Sequence, residues 1–144
     1  MTITTKALHA HLGRRELLQG VDLSFDGPKL VGIMSLDGDG AHALLSAIHH
    51  QLGPASAYLK MRDRSPQTHD ELLRLALAQS PRCILIDESL FIHDKERQSQ
   101  WMTALRQLPV STFIALREPG AAKECDWLYI IEYGRIQRQG RPTL

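Results

Sequence analysis

The stretch that decides the fold reads Leu30-Val31-Gly32-Ile33-Met34-Ser35-Leu36-Asp37-Gly38-Asp39-Gly40-Ala41-His42-Ala43. Its first part, Leu30 to Met34, is a short apolar run of the kind that forms a strand buried on both faces. After Gly40, apolar side chains recur at helical spacing, at Leu44, Leu45, Ile48 and Leu52. The stretch therefore predicts a strand, a glycine-containing turn and a helix in immediate succession.

A strand, a glycine-rich turn and a helix are the setting of a phosphate-binding loop, whose motif is G-x-x-x-x-G-K-[ST]. In that motif the lysine reaches the β and γ phosphates and the hydroxyl binds Mg²⁺. Here the first glycine position holds Ser35, the lysine position Ala41 and the hydroxyl position His42. Asp39 adds a carboxylate inside the loop, where like charge is expected to weaken phosphate binding. The sequence thus predicts the shape of a phosphate-binding loop without its chemistry.

Length and composition restrict the classes of protein to which the chain can belong. It has 144 residues, and we expect residues 1–144 to form a single domain. Hydrophobic residues make up 43% and charged residues 23%, an ordinary soluble balance, and the net charge is only +1. We therefore expect no nucleic-acid partner and no direct membrane insertion. The two cysteines, Cys83 and Cys125, lie far apart in sequence, and we expect a reducing, cytoplasmic location.

The rest of the chain alternates predicted strands and helices, which favours an α/β fold with a largely parallel core sheet. The first two strands and the last hairpin predict an antiparallel flank. A capping box at Thr68–Glu71 predicts a helix start, and Gly53–Pro66 is interpreted as a break that carries basic side chains. The predicted strands are 8–12, 21–25, 83–86, 112–116, 128–131 and 135–138, the last after a Tyr133-Gly134 turn, and a further helix is predicted over 95–108.

Five segments, in this order, resemble the ATPase domain of ABC (ATP-binding cassette) proteins in a heavily shortened form. They are ELLQGVDLSF (16–25), VGIMSLDGDG (31–40), the Walker B-like PRCILIDES (81–89), the D-loop-like LFIHD (90–94) and DWLYIIEYGRI (126–136). The resemblance covers nearly the whole chain. It implies a P-loop NTPase-like α/β core of largely parallel strands, with flanking helices and an antiparallel β flank.

The departures from this family are as informative as the matches. The interval between Gly40 and Asp87 is far shorter than in a typical member, so the Q-loop and most of the helical (signature) subdomain are missing. The signature motif would align near 64–67 and is unrecognisable. The switch histidine would fall near Arg117 or Glu118, and neither is histidine.

These losses predict a catalytically inactive protein, because phosphoryl transfer depends on positioning and charge stabilisation that the absent groups would supply. We expect a pseudo-ATPase with no catalytic residue, no cofactor and no metal. It would act as an interaction, assembly or regulatory subunit of a larger complex, which could be membrane-associated. The expected partners are proteins, such as an ABC ATPase or a membrane complex, or a second copy of the chain in a homodimer.

The alternative is a residual ATP-binding or ATP-sensing subunit of an ABC-type system, and only this alternative involves ATP and Mg²⁺. By resemblance, Asp87 and Glu88 would then hold a Mg²⁺-bound water and act as general base. Otherwise the two carboxylates are a strand-end pair that faces water. The residues that would bind nucleotide are Gly38, Asp39, Gly40, Ala41, His42, Asp87 and Glu88.

Two further clusters have a plain interpretation beside a functional one. His42 and His49 lie two turns apart on one helix face. A metal site would need more closely spaced ligands, so a solvated face is the simpler interpretation. Lys60, Arg62 and Arg64 form a basic segment that could contact nucleic acid, although a solvated loop is the simpler interpretation.

Overall fold

A computed structural model describes residues 2–12, 15–27, 29–35, 39–60, 66–87, 95–116 and 119–142. The strands are β1 Thr2–Leu12, β2 Arg15–Asp26, β3 Leu30–Ser35, β4 Ser56–Lys60, β5 Cys83–Asp87, β6 Ser111–Leu116, β7 Trp127–Glu132 and β8 Arg135–Gly140. The helices are α1 Asp39–Leu52, α2 Pro66–Ala78, α3 Lys95–Arg106 and α4 Pro119–Ala122.

The main sheet has six strands in the order β4-β5-β6-β3-β7-β8. The first five run parallel, and β8 returns antiparallel to β7. A second sheet consists of β1 and β2, paired antiparallel. The predicted fold class is therefore confirmed: a largely parallel α/β core with flanking helices and an antiparallel flank, and no helical subdomain is evident among the described residues.

The sheet separates two apolar clusters, because successive side chains of a buried strand point to opposite faces. On one face α1 packs against alternate residues of the strands. The members of this cluster on the sheet include Val31, Ile33, Cys83, Leu85, Phe113 and Tyr129. On the other face α2, α3 and α4 cover the intervening residues, including Leu30, Ile84, Ile86 and Ile114. The central strand β3 is thus buried on both sides, as its continuous apolar run predicts.

Several boundaries differ from the sequence prediction. The first two strands are longer than predicted and begin at Thr2 and Arg15. The interpretation of Gly53–Pro66 as a break was wrong in part, because a short 3-10 turn at Gly53–Ala55 leads into β4, the edge strand of the parallel sheet. Helix α2 begins at Pro66, ahead of the capping box, since proline suits the first helical position with its fixed φ and missing N–H.

Gly32 marks the closest packing of the core. A Cβ atom there would lie 2.8 Å from both the Cys125 Sγ and the Leu116 Cδ1, and 3.0 Å from the Leu128 Cδ1. Both cysteines are buried, and neither forms a disulfide. The pKa of each thiol is raised to about 12, and burial is the main cause. At Cys125 the neighbouring carboxylates of Asp126 and Glu124 also raise the pKa, by less than burial does.

The predicted turn between β7 and β8 is confirmed. Tyr133 and Gly134 have φ values of 52° and 74°, so both central residues are left-handed. This backbone twist suits a two-residue hairpin loop. No helix in the described part of the chain has the length and apolarity needed to cross a bilayer.

Candidate functional site

The described residues of the predicted site lie in two places. Gly40, Ala41 and His42 form the first turn of α1, and Asp87 is the last residue of β5. Because α1 lies across the sheet, its first turn comes close to the carboxyl end of β5. Asp39 begins α1, but its side chain lies outside the described part of the structure, as do Gly38 and Glu88.

Ala41, at the lysine position of the motif, belongs to the core. It is 4% exposed and packs in the apolar cluster between α1 and the sheet. Its backbone N–H donates a hydrogen bond to the Ser35 Oγ over 3.1 Å. Because the first amides of a helix have no partner within the helix, the Ser35 hydroxyl satisfies one of the donors that a phosphate-binding loop would offer to an anion.

His42, at the hydroxyl position, forms a short contact with Asp87. The His42 Nδ1 lies 2.7 Å from the Asp87 Oδ2, and the two side chains are 53% and 14% exposed. A carboxylate oxygen accepts hydrogen bonds, so in this contact the His42 Nδ1 carries the proton and donates. The structure therefore brings together two predicted site residues that lie far apart in sequence.

Tyr58 also contacts Asp87, although no sequence pattern pointed to it as a site residue. It lies on β4, and its hydroxyl donates to the same Asp87 Oδ2 over 3.1 Å. The hydroxyl oxygen also lies 3.4 Å from the His42 Nδ1, so both donors converge on one carboxylate oxygen. We name the group of His42, Tyr58 and Asp87 the Asp87 cluster.

Burial raises the pKa of the Tyr58 hydroxyl to about 12. The negative charge of Asp87 and the hydrogen bond to it also raise the pKa, whereas a hydrogen bond with Ser46 on α1 lowers it. Tyr58 thus keeps its proton at neutral pH and remains a hydrogen-bond donor to the carboxylate.

A second polar link joins α1 to the start of β4. The Ser56 hydroxyl donates to the Gly53 carbonyl over 3.0 Å, which leaves its oxygen to accept from the His49 Nδ1 at 2.7 Å. The rings of His49 and Tyr58 have centroids 5.4 Å apart. His50 is exposed on the same helix, and the described residues contain no group of three His, Cys, Asp or Glu placed for a metal ion.

The described residues do not fit the Mg²⁺ that serves a phosphate-binding loop. Mg²⁺ takes oxygen ligands in octahedral geometry, and the loop's usual hydroxyl ligand is replaced by an imidazole. That imidazole lies against the Asp87 Oδ2, and the Tyr58 hydroxyl donates to the same atom, so this oxygen already has two partners.

The structure describes the other predicted features only in part. Lys60 ends β4, whereas Arg62 and Arg64 lie outside the described residues. The positions assigned to the D-loop, 90–94, and to the switch histidine, Arg117 and Glu118, also fall outside them.

Comparison with solved structures finds ATP-binding cassettes of ABC transporters. The ADP conformation of the cassette MJ1267 matches with a TM-score of 0.77 and 14% identity, over 98% of this chain and 91% of that chain. The dimeric bacterial cassette MJ0796 matches with a TM-score of 0.74 and 12% identity, over 100% of both chains. The cbiO1 protein from Clostridium perfringens, described as part of the ABC transporter complex cbiONQ, matches with a TM-score of 0.67 and 13% identity, over 96% of this chain and 88% of that chain.

No family model and no curated protein matches the sequence. The chain therefore has the fold of an ABC ATP-binding cassette, and at these identities the likeness concerns the fold.

Proposed function

We propose that this chain is a catalytically inactive ABC-ATPase-like protein that serves as an interaction, assembly or regulatory subunit of a larger complex. The observation that carries the proposal is Ala41. At the position of the phosphate-binding lysine, the chain has a methyl group that is 4% exposed and packed in the core.

The loss of that lysine matters because phosphoryl transfer has little covalent chemistry for the protein to perform. Catalysis rests on holding the phosphates and stabilising their charge, which a lysine, a metal ion and the loop amides do together. Here the lysine is absent, and the Ala41 amide is engaged by the Ser35 Oγ. Asp87 is engaged by His42 and Tyr58. Two of the groups that would bind nucleotide, the Ala41 amide and the Asp87 Oδ2, thus have partners within the chain instead.

A role in an assembly is consistent with what the structural neighbours do. MJ0796 is described as a dimer, in one structure with ADP and Pi bound, and cbiO1 is described as part of a transporter complex. We propose by analogy that this chain binds a protein partner. The candidate partners are a second copy of itself, an ABC ATPase or a membrane complex.

Calorimetry with millimolar Mg-ATP and Mg-ADP tests the proposal. We expect no binding heat and no thermal stabilisation of the wild type. The matched variant carries Ala41→Lys with His42→Ser, which restores both motif residues. Comparison of the variant with the wild type shows how far these two positions account for the expected lack of nucleotide binding. Saturable binding of either nucleotide by the wild type would contradict the proposal.

Partner binding needs a separate measurement. Light scattering after size exclusion gives the mass of the purified chain and tests for a homodimer. Affinity capture followed by quantitative mass spectrometry, with an unrelated protein of similar charge as bait control, tests for other subunits. A monomer that enriches no protein over the control would contradict a subunit role.

The alternative, a residual ATP-binding or ATP-sensing subunit, is favoured by one observation. The first turn of α1 lies next to the carboxyl end of β5, where the His42 Nδ1 is 2.7 Å from the Asp87 Oδ2. This alternative predicts wild-type nucleotide binding that Asp87→Ala abolishes, measured in the same calorimeter.

A further inference from the structure

We infer that His42 and Tyr58 hold the Oδ2 of Asp87 in place of a metal ion, so that the Asp87 cluster is a metal-free clamp that joins α1, β4 and β5. The inference deepens the proposed function, because it assigns a structural use to residues that the proposal treats as catalytically silent.

Two donors already engage one oxygen of the carboxylate. The Asp87 Oδ2 accepts from the His42 Nδ1 at 2.7 Å and from the Tyr58 hydroxyl at 3.1 Å. The two donor atoms are themselves 3.4 Å apart. A Mg²⁺ ion, bound about 2.0–2.1 Å from that oxygen, would compete with both donors for its lone pairs.

The carboxylate is also sheltered. Its side chain is 14% exposed, and Tyr58 is half-buried. The hydrogen bond from Tyr58 is partly buried, so it competes less with water than a surface hydrogen bond and is worth more to the fold. The contact from His42 lies on the solvent side of the carboxylate, because the His42 side chain is 53% exposed.

The clamp acts on β4, one of the two edge strands of the described six-stranded sheet. Within that sheet, β4 pairs with β5 alone. Tyr58 ties its middle to the end of β5, and the His49 to Ser56 contact ties its start to α1. The edge of the sheet beside the Asp87 cluster is thus held by the chain's own side chains, without nucleotide or metal. A partner would meet the same surface whether or not nucleotide is present.

Histidine nitrogen spectroscopy tests the central contact in the intact protein. In a long-range ¹⁵N–¹H correlation spectrum at mildly alkaline pH, we expect the His42 signal to show Nδ1 protonated. The signal is assigned by its loss in His42→Ala, and we expect Asp87→Ala to shift it. A His42 signal with the proton on Nε2, or one that Asp87→Ala leaves unchanged, would overturn the inference.

Metal binding tests the metal-free state of the clamp. In a titration with MnCl₂ and no nucleotide, followed by the electron paramagnetic resonance signal of free Mn²⁺, the wild type should leave the signal unchanged at millimolar metal. Bound Mn²⁺ that Asp87→Ala releases would overturn the clamp while leaving the proposed lack of catalysis intact. Metal-independent binding of ATP would contradict the proposed function and leave the clamp in place.

A double-mutant cycle measures the coupling. The melting temperatures of His42→Ala, Asp87→Ala and the double variant should be non-additive, with the double variant losing about 1–3 °C less than the sum of the singles. His50→Ala, on the exposed side of the same helix, is the control and should add independently to Asp87→Ala. Additive losses for His42→Ala and Asp87→Ala would count against the clamp.

Discussion

The α1 face of the sheet and the Asp87 cluster lie side by side and are built differently. On the α1 face, the described cluster consists of buried apolar side chains, which include Ala41 at the position that the phosphate-binding motif gives to lysine. At the Asp87 cluster, polar side chains satisfy one another close to solvent. The difference separates the apolar packing that holds the fold from the polar contacts beside it, whose loss should affect the fold less. Four predictions test this separation.

The largest effect is expected at Phe113, which is fully buried at the centre of the α1 face. Phe113→Ala should lower the free energy of unfolding by about 3–5 kcal/mol, since it removes apolar contact and leaves a cavity. Urea unfolding followed by circular dichroism measures it, and Phe113→Leu should lose clearly less. A loss no larger than that of Asp87→Ala would break the comparison.

A substitution at Gly32 tests the opposite change, added volume instead of a cavity in the core. Gly32→Ala places a Cβ atom against Cys125, Leu116 and Leu128, and should cost about 1–3 kcal/mol through side-chain displacement. Thermal unfolding measures it. Gly120→Ala is the control, because a Cβ at Gly120 meets nothing within 4 Å. Equal melting temperatures for the two variants would show that the core tolerates the added atom.

At the Asp87 cluster, the contribution of the Tyr58 hydroxyl to stability should depend on pH. The pKa of Tyr58 is raised from 10.0 to about 12 in the folded chain, so folding favours the protonated phenol. Its stabilising contribution is therefore fully present below pH 10 and is lost as the pH rises towards 12. The difference in melting temperature between wild type and Tyr58→Phe should be constant below pH 10 and shrink above it. Tyr129, whose pKa burial also raises to about 12, is present in both proteins and cancels.

A difference that stays constant through this range would mean that Tyr58 ionises no later in the folded chain than in the unfolded chain. The stabilising role assigned to its hydroxyl would then be wrong.

The smallest effect is expected at the hairpin turn, away from both regions. Tyr133 is 80% exposed with a φ of 52°, a conformation that asparagine adopts more readily than tyrosine. Tyr133→Asn should raise the stability by up to about 1 kcal/mol. Tyr133→Phe, which keeps the same backbone preference, should change nothing. A loss of stability in Tyr133→Asn would show that the ring makes contacts worth more than the relieved strain.

The fold was predictable because its core strands are written as continuous apolar runs, as at Leu30–Met34 and Cys83–Ile86. Edge strands carry a weaker signal. In β4 the residues Ser56, Tyr58 and Lys60 interrupt the apolar pattern, and the neighbouring Gly53 and Pro54 suggested a turn, so the strand was missed. The signal for β4 in the sequence is the short run Ala57, Tyr58 and Leu59 between two breaks.

Of the candidate site, the sequence named His42 and Asp87 by their positions in the motifs but did not predict that they are in contact. Their role in binding nucleotide stays a prediction. The contact between His42 and Asp87 depends on the order of the strands and on the path of α1 across them, which local patterns do not specify. Tyr58 could not be joined to the cluster without first recognising β4.

The two cysteines have a practical consequence. Cys83 and Cys125 are the chain's whole complement of thiols, and both are buried with a pKa of about 12, so little of either is present as the reactive thiolate at neutral pH. A cysteine introduced at an exposed position, such as Leu75 on α2 or Tyr133 in the hairpin, would be the one site open to maleimide probes and crosslinkers. The surface can therefore be scanned for partner contacts one position at a time, in an otherwise native chain.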